Sequence, residues 1–332
     1  MKYQMSINNL ATLETMVPLA IFMALFWTIV MEVTQSWIIQ KLPKTKWWSR
    51  AALPASQMMV NFGFPKNVTE LQVKEFFAFL TTICVNHILS AIPMLPVVYY
   101  GWGNVSETWK CLFLLGSISD VGLDIYDTIK STKRTFSKND PSPLPVGFWL
   151  IVAVMHHSLA LALTIPMNLR YIHLAQYHET IVSLLFAGGF CYASGNYKFT
   201  LDVSKTWDMI QYKVIVVAQL LIILYTRVYL WFPTCVSMFV YFKSEGDFLF
   251  AYGGAFVAFI FSLFNVVMVV DAIKAAVKWL PKKLPSSHST KKYEAPTAVE
   301  HECKMERKRR TATGAQMFRN SLTKRDATRM VN

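Results

Sequence analysis

Charged side chains are scarce in this chain. Asp, Glu, Lys and Arg make up 16% of its 332 residues. A soluble domain of this length would carry more, about a quarter. Long polar stretches are also few: residues 41–72 and 281–332 are the longest, so no large soluble domain is expected. Cysteine is limited to Cys84, Cys111, Cys191, Cys235 and Cys303, an odd number with no CxxC spacing. That argues against a disulfide framework or a zinc site, and the thiols read as small apolar fillers. The seven histidines form no HxxxH or HxxHH box, which argues against a histidine-rich diiron centre. No metal is expected.

What the chain has instead is long apolar runs. Hydrophobic residues make up 54% of it. A helix needs about 20 apolar residues to cross a hydrocarbon core of roughly 30 Å. Seven runs qualify: Val17–Ile39, Val73–Val98, Trp109–Ile129, Pro145–Asn168, Thr180–Thr200, Tyr212–Phe242 and Asp247–Leu280. The third and fifth carry the most polar residues. Barrel strands would be shorter and would alternate apolar with polar residues. The first run starts late, is long, and is followed by no small-x-small site, so it reads as a retained helix. The expected fold is all-α, a polytopic transmembrane bundle of about seven spans. Residues 1–72 would hold the first span and a basic loop, 73–280 the main bundle, and 281–332 a tail.

Lys and Arg set the expected orientation. With the N-terminus outside, the inner segments up to Lys213 hold 13 basic residues and the outer ones hold 4: Lys2, Lys110, Arg170 and Lys243. The sequon Asn104-Val105-Ser106 falls outside and is a glycosylation site. The sequon at Asn67 falls inside and should stay bare. The tail from Pro281 carries +8 of the chain's net +13. Its composition reads as disordered. Arg307–Arg310 could contact anionic lipid, with a solvated topogenic tail as the plainer reading. No nucleic-acid motif accompanies the charge.

Ionisable side chains are expensive in a bilayer and usually face a bundle interior. Here they recur near mid-span. His87, Asp120, the adjacent pair His156-His157, Arg227 and Asn265 come from five different runs. Asp120, Asp124 and Asp127 are spaced four and three, so they share one helical face. Three carboxylates there need a proton, a cation or a basic partner, and Arg227 and the histidines are available. Asp127 also reads as solvated at the inner end. Consecutive helical residues point about 100° apart, so one histidine of the pair can face a given cavity squarely. The other reading is a structural hydrogen bond. Pro93, Pro96, Pro166 and Pro233 should kink their helices. His173 and His178 fall in an outer loop and read as solvated.

These motifs, taken in order, resemble the TLC-domain family. That family joins translocating-chain-associated membrane proteins, longevity-assurance ceramide synthases and a neuronal ceroid lipofuscinosis protein. The resemblance rests on Val85-Asn86-His87, Ile125-Tyr126-Asp127, Met155-His156-His157-Ser158, Thr226-Arg227-Val228 before Pro233, and Leu263-Phe264-Asn265. It covers about residues 73–278. It implies membrane lipids as partners, residence in the endoplasmic reticulum, and a role in sphingolipid or phospholipid metabolism or homeostasis. Where the family is catalytic, an acyl group passes from acyl-coenzyme A to a lipid amine. His156 or His157 would then be the base, oriented by Asp120 or Asp127, with His87, Asp124, Glu179, Arg227 and Asn265 lining the polar cavity. Acyl-coenzyme A would be a co-substrate, and no other cofactor is implied. Ceramide synthases carry a further His-Asp pair after the His-His span. Residues 176–189 offer His178-Glu179 instead, which sets the chain nearer the other TLC-domain proteins.

A second reading is a transporter or receptor-like protein whose polar layer binds a proton, ion or small solute. No receptor triplet, Asn-Pro pair or inverted repeat accompanies it. The sequence carries no signal for an oligomeric state.

Overall fold

The computed structural model describes residues 7–285, apart from the side chains of Asn8 and Asn9. The tail beyond Pro285, with Cys303 and the basic cluster Arg307–Arg310, lies outside the described residues, and so does the lipid contact expected of it. By its contacts the chain divides into residues 1–284 and 285–332. The first unit, which includes residues 1–72, carries everything below.

Among the described residues the fold is helical, with no strand. Eight rods follow one another: α1 (Leu13–Lys41), α2 (Trp48–Asn61), α3 (Glu70–Tyr100), α4 (Glu107–Phe136), α5 (Val146–Arg170), α6 (Ala175–Thr200), α7 (Thr206–Ser244) and α8 (Phe248–Trp279). Five of them, α1, α3, α5, α7 and α8, are long and apolar enough to cross a membrane. The expectation of seven such helices therefore meets five. The other two runs are helical throughout, as α4 and α6, but their polar side chains turn inward. Helix α4 buries Ser117, Asp124, Asp127 and Ser131, and α6 buries His178, Thr180, Ser194 and Asn196. Their inward polar residues lower the hydropathy of both segments.

Local sequence sets the rod ends. Thr69 and Gln72 form a capping box at the start of α3, each side chain bonded to the other's backbone, which satisfies two otherwise free N–H groups. Asp247 accepts from the Phe250 backbone at the start of α8. Pro93 sits in one tighter turn, Ile92–Met94, after which α3 continues as regular helix through Pro96. Gly101 then ends the helix at φ +82, a conformation that favours glycine. Helix α2 buries Trp48, Ala51, Ala55 and Met59. Their spacing of three and four makes one apolar stripe, and it packs against Phe76, Phe77 and Leu80 of α3.

Ion pairs tie the rods at their ends. At one end Arg134 of α4 meets Glu75 of α3 (2.8 Å), and Arg50 of α2 meets Asp202 beyond α6 (3.3 Å). At the other, Glu107 of α4 accepts from the Ile7 backbone (3.0 Å). There Arg170, ending α5, meets Asp247 before α8 (3.0 Å), and the Tyr171 hydroxyl donates to the same carboxylate (2.7 Å). The Tyr171 bond holds Asp247 below the usual carboxylate range. Burial, and then that same bond, push the Tyr171 hydroxyl up to about 12. Large apolar side chains face outward on α1 and α8, such as Ile29, Val33, Val267 and Val277.

Candidate functional site

The site is built around α4. Gly122 lets α1 approach closely: a Cβ there would lie 2.5 Å from Cβ of Met23. Trp27 of α1 donates to Ser119 of α4 (2.9 Å), and Ser90 of α3 reaches the same hydroxyl (3.1 Å). Asn168 of α5 donates to Ser117 (2.8 Å) and accepts from Tyr177 of α6 (3.0 Å). These bonds hold four helices about one polar face.

On that face sit two histidine–carboxylate units. The first pairs His87 of α3 with Asp120, Nδ1 to Oδ1 at 3.5 Å. Asn86 Oδ1 lies 3.2 Å from the same nitrogen, and Tyr192 of α6 lies beside the ring. Gly188 makes room for that ring, because a Cβ there would lie 2.8 Å from Cδ2 of His87. The second unit is more complete. His157 is buried (3% exposed). Its Nε2 lies 3.5 Å from Asp124 and 3.5 Å from Asp127. Its Nδ1 lies 3.0 Å from the Thr128 hydroxyl. The expected shared face of Asp120, Asp124 and Asp127 is therefore the face that meets the histidines. Asp127 is buried with the others, so its reading as a solvated inner-end carboxylate is corrected.

The adjacent histidines divide as their geometry requires. His157 turns to α4. His156 turns to α8, where its ring stacks on Phe264 (5.6 Å between centroids) and meets Phe261 edge-on. The pair ends a wide π-helical segment, Leu150–His157. The Ser158 hydroxyl bonds the Ala153 carbonyl (3.2 Å), and a side chain entering the backbone ladder is a recognised cause of such irregularity. A second wide segment, Tyr225–Leu230, holds Arg227 in α7. It lies just before Pro233, whose ring cannot complete the regular pattern.

Three expectations are corrected here. Arg227 joins none of the α4 carboxylates. Its Nη1 donates to Asn265 of α8 (3.2 Å), because its helix lies against α8. Glu179 is exposed and does not line the polar face. Its neighbour His178 is the buried one, at 1% exposure. Its ring stacks on Trp102 (5.4 Å) and its Nε2 meets the Ile172 carbonyl. Trp102, in the segment between α3 and α4, covers it, so it is not solvated. His173 is exposed as expected, and so are Asn104 and Asn67.

Thr128 and Asn86 are the partners that sequence reasoning missed. Thr128 lies four residues after Asp124, so the spacing that groups the carboxylates reaches it too. Asn86 adjoins His87 but carries no charge to attract notice. Four buried polar atoms of this region lack a hydrogen-bond partner within the chain: Asn86 Nδ2, Asp120 Oδ1, His156 Nδ1 and Asn265 Nδ2. Such groups are costly unless something satisfies them. Among the described residues no group of three ligating side chains could hold a metal ion.

A small, open cavity lies beside Asp127, walled by Phe64, Phe76, Phe79 and Phe148. Its polar lining includes Lys130 and Arg134, which are ion-paired with Glu32 and Glu75. An imidazole held by carboxylates on one nitrogen and a hydroxyl on the other is oriented to accept or give a proton. No family model, curated protein or solved structure matches the chain.

Proposed function

We propose that this is a seven-span, N-out/C-in protein of the endoplasmic reticulum membrane, of the TLC-domain type. In this reading it acts on membrane lipids by acyl transfer. The carrying observation is the His157 unit: one buried imidazole between Asp124 and Asp127, with Thr128 on its second nitrogen. His157 takes a proton from a lipid amine. The amine nitrogen attacks the thioester carbonyl of acyl-coenzyme A, and an amide bond forms. The carbon–sulfur bond breaks, and the thiolate leaves with the proton that His157 held. Asp124 and Asp127 stabilise the imidazolium between those events, and Thr128 fixes the ring. The aromatic cavity ending at Asp127 supports entry of an apolar chain from the basic end of the bundle.

The inward-turned polar residues of α4 and α6, which lower their hydropathy, support both as spans, and the distribution of Lys and Arg supports the orientation. In that orientation a glycan occupies Asn104 and none occupies Asn67, which sequon mapping reads directly. A glycan on Asn67 would sink the topology. The function is tested by lipid profiling of cells with and without the gene, complemented by wild type or by His157→Ala. Sphingolipid or phospholipid classes should change on deletion and return with wild type only. No change in any class would refute the lipid reading. The unpartnered atoms on four helices favour one other reading, a proton or small-solute path, for which uptake into proteoliposomes is the test.

A further inference from the structure

Arg227 is the group that the acyl-transfer reading does not use. It is 9% exposed, in the wide segment of α7. A guanidinium has five N–H donors, and a single bond accounts for one of them, to Asn265. Among the described residues no carboxylate lies within ion-pair distance of it. Cys191 and Tyr192 lie within its electrostatic reach, but a thiol and a phenol are ordinarily neutral at pH 7. A buried charge without a counter-charge is strongly disfavoured inside a membrane bundle.

The surroundings of Arg227 point to what would offset that charge. Asn265 is 2% exposed, and its Nδ2 donor has no partner within the chain. The guanidinium fork and the amide N–H2 are therefore two adjacent donor groups with no anion between them. Near them lies a groove that opens to the outside of the bundle, lined by residues of α5, α6, α7 and α8. Its walls are apolar, with Leu163, Cys235, Met238, Phe239 and Ala255 among them. Trp231 also lines it, and it sits one helical turn from Arg227. Its Nε1 donates to Ser262 (2.9 Å), less than a turn from Asn265. At 1.5 Å per residue, the groove begins about 6 Å from Arg227 along α7, at Trp231, and about 10 Å from Asn265 along α8, at Ala258.

We propose that Arg227 and the Asn265 amide bind the carboxylate of a single-chain lipid, whose hydrocarbon chain lies along this groove. A planar carboxylate matches the guanidinium fork. A single chain with a small head reaches mid-span, where the bulky head group of a two-chain phospholipid does not. The site is made by α7 and α8 and does not rest on the chemistry of His157.

The test uses the full-length protein in nanodiscs at pH 8, titrated with hexadecanoate, hexadecyl phosphate and hexadecanol. Hexadecanoate should bind wild type best. Arg227→Gln should weaken it by about tenfold to a hundredfold, the range for a hydrogen bond to a charged group. Gly254→Leu is the second variant. Gly254 lines the groove and has open space at its Cβ position, so a larger side chain there projects into the groove. It should weaken hexadecanoate binding even if Arg227→Gln fails to fold. His157→Ala should leave binding unchanged, which separates this site from the acyl-transfer reading. Equal binding of hexadecanol, tighter binding of hexadecyl phosphate, or full binding by Gly254→Leu would overturn the proposal.

Discussion

The fit of Gly188 against His87 can be tested by adding a single methyl group. In Gly188→Ala, Cβ would lie 2.8 Å from Cδ2 and 3.3 Å from Nε2 of the ring. That is inside van der Waals contact, so the ring or α6 must shift. The ring is held by Asp120 and Asn86 and flanked by Tyr192, so it cannot move freely. Overpacking of this kind typically costs about 1–3 kcal/mol. Alanine also favours the helix over glycine by up to about 1 kcal/mol. The same helix supplies the control, because a Cβ on Gly195 would meet nothing within 4 Å. Gly195→Ala should therefore be neutral or stabilising by up to about 1 kcal/mol. The difference between the two variants isolates the packing penalty, and should be about 1–3 kcal/mol. Reversible unfolding in mixed detergent micelles measures it. The double variant Gly188→Ala/His87→Ala closes the cycle: with the ring removed, the added methyl should cost nothing. If Gly188→Ala is as stable as Gly195→Ala, or if His87→Ala leaves the penalty in place, the close approach of α6 to His87 is refuted.

Three further outcomes are expected. Asn168→Leu removes the bonds to Ser117 and Tyr177, which keep the Leu114 and Thr164 carbonyls as acceptors, and at about 0.5–1.5 kcal/mol per bond the same unfolding assay should show a loss of about 1–3 kcal/mol. Thr128→Val keeps the shape of the side chain but removes one bond of about 1 kcal/mol to His157. Acyl transfer, measured with radiolabelled acyl-coenzyme A, should fall about fivefold with KM unchanged; an unchanged rate would remove Thr128 from the positioning of His157. At the opposite end of the bundle from Arg134, the lowered carboxylate of Asp247 contributes stability above its unfolded value, near pH 4. That contribution is lost as pH falls through the lower folded value. Hydrogen exchange over residues 245–250 should accelerate as pH falls through that window, after correction for intrinsic rates, and Asp247→Asn should abolish the step.

The helices were largely legible, because apolar runs and caps are local properties. The run Val73–Val98 lies within α3, and Trp109–Ile129 lies within α4. The face shared by Asp120, Asp124 and Asp127 followed from spacing alone. Which helix meets that face did not, because neighbours in a bundle are set by packing between distant segments. That is why Arg227, a plausible partner by depth, faces Asn265 instead. The same limit explains the exchange of His178 and Glu179. They are consecutive, about 100° apart on one helix, and only the arrival of Trp102 decides which is covered. The two segments that fell short as apolar spans did so because hydropathy records composition and is blind to the direction a side chain takes.

The wide segment in α5 fixes more than a local bend. Trp149 donates to Thr132 (2.9 Å) just before it, and His157 meets Asp124 and Asp127 at its end. Both contacts are made to α4, and the residues between them are counted by the π-helical turns. A π-helical turn takes up an extra residue, so relaxing to regular α geometry with the residue count unchanged would rotate everything beyond it by about 100° per residue taken up. Either Trp149 or His157 would then leave its partner. Chain length across residues 150–157 is thus under geometric constraint even where side-chain identity is not. Substitutions on its outward side should be tolerated, and a further single-residue insertion should not.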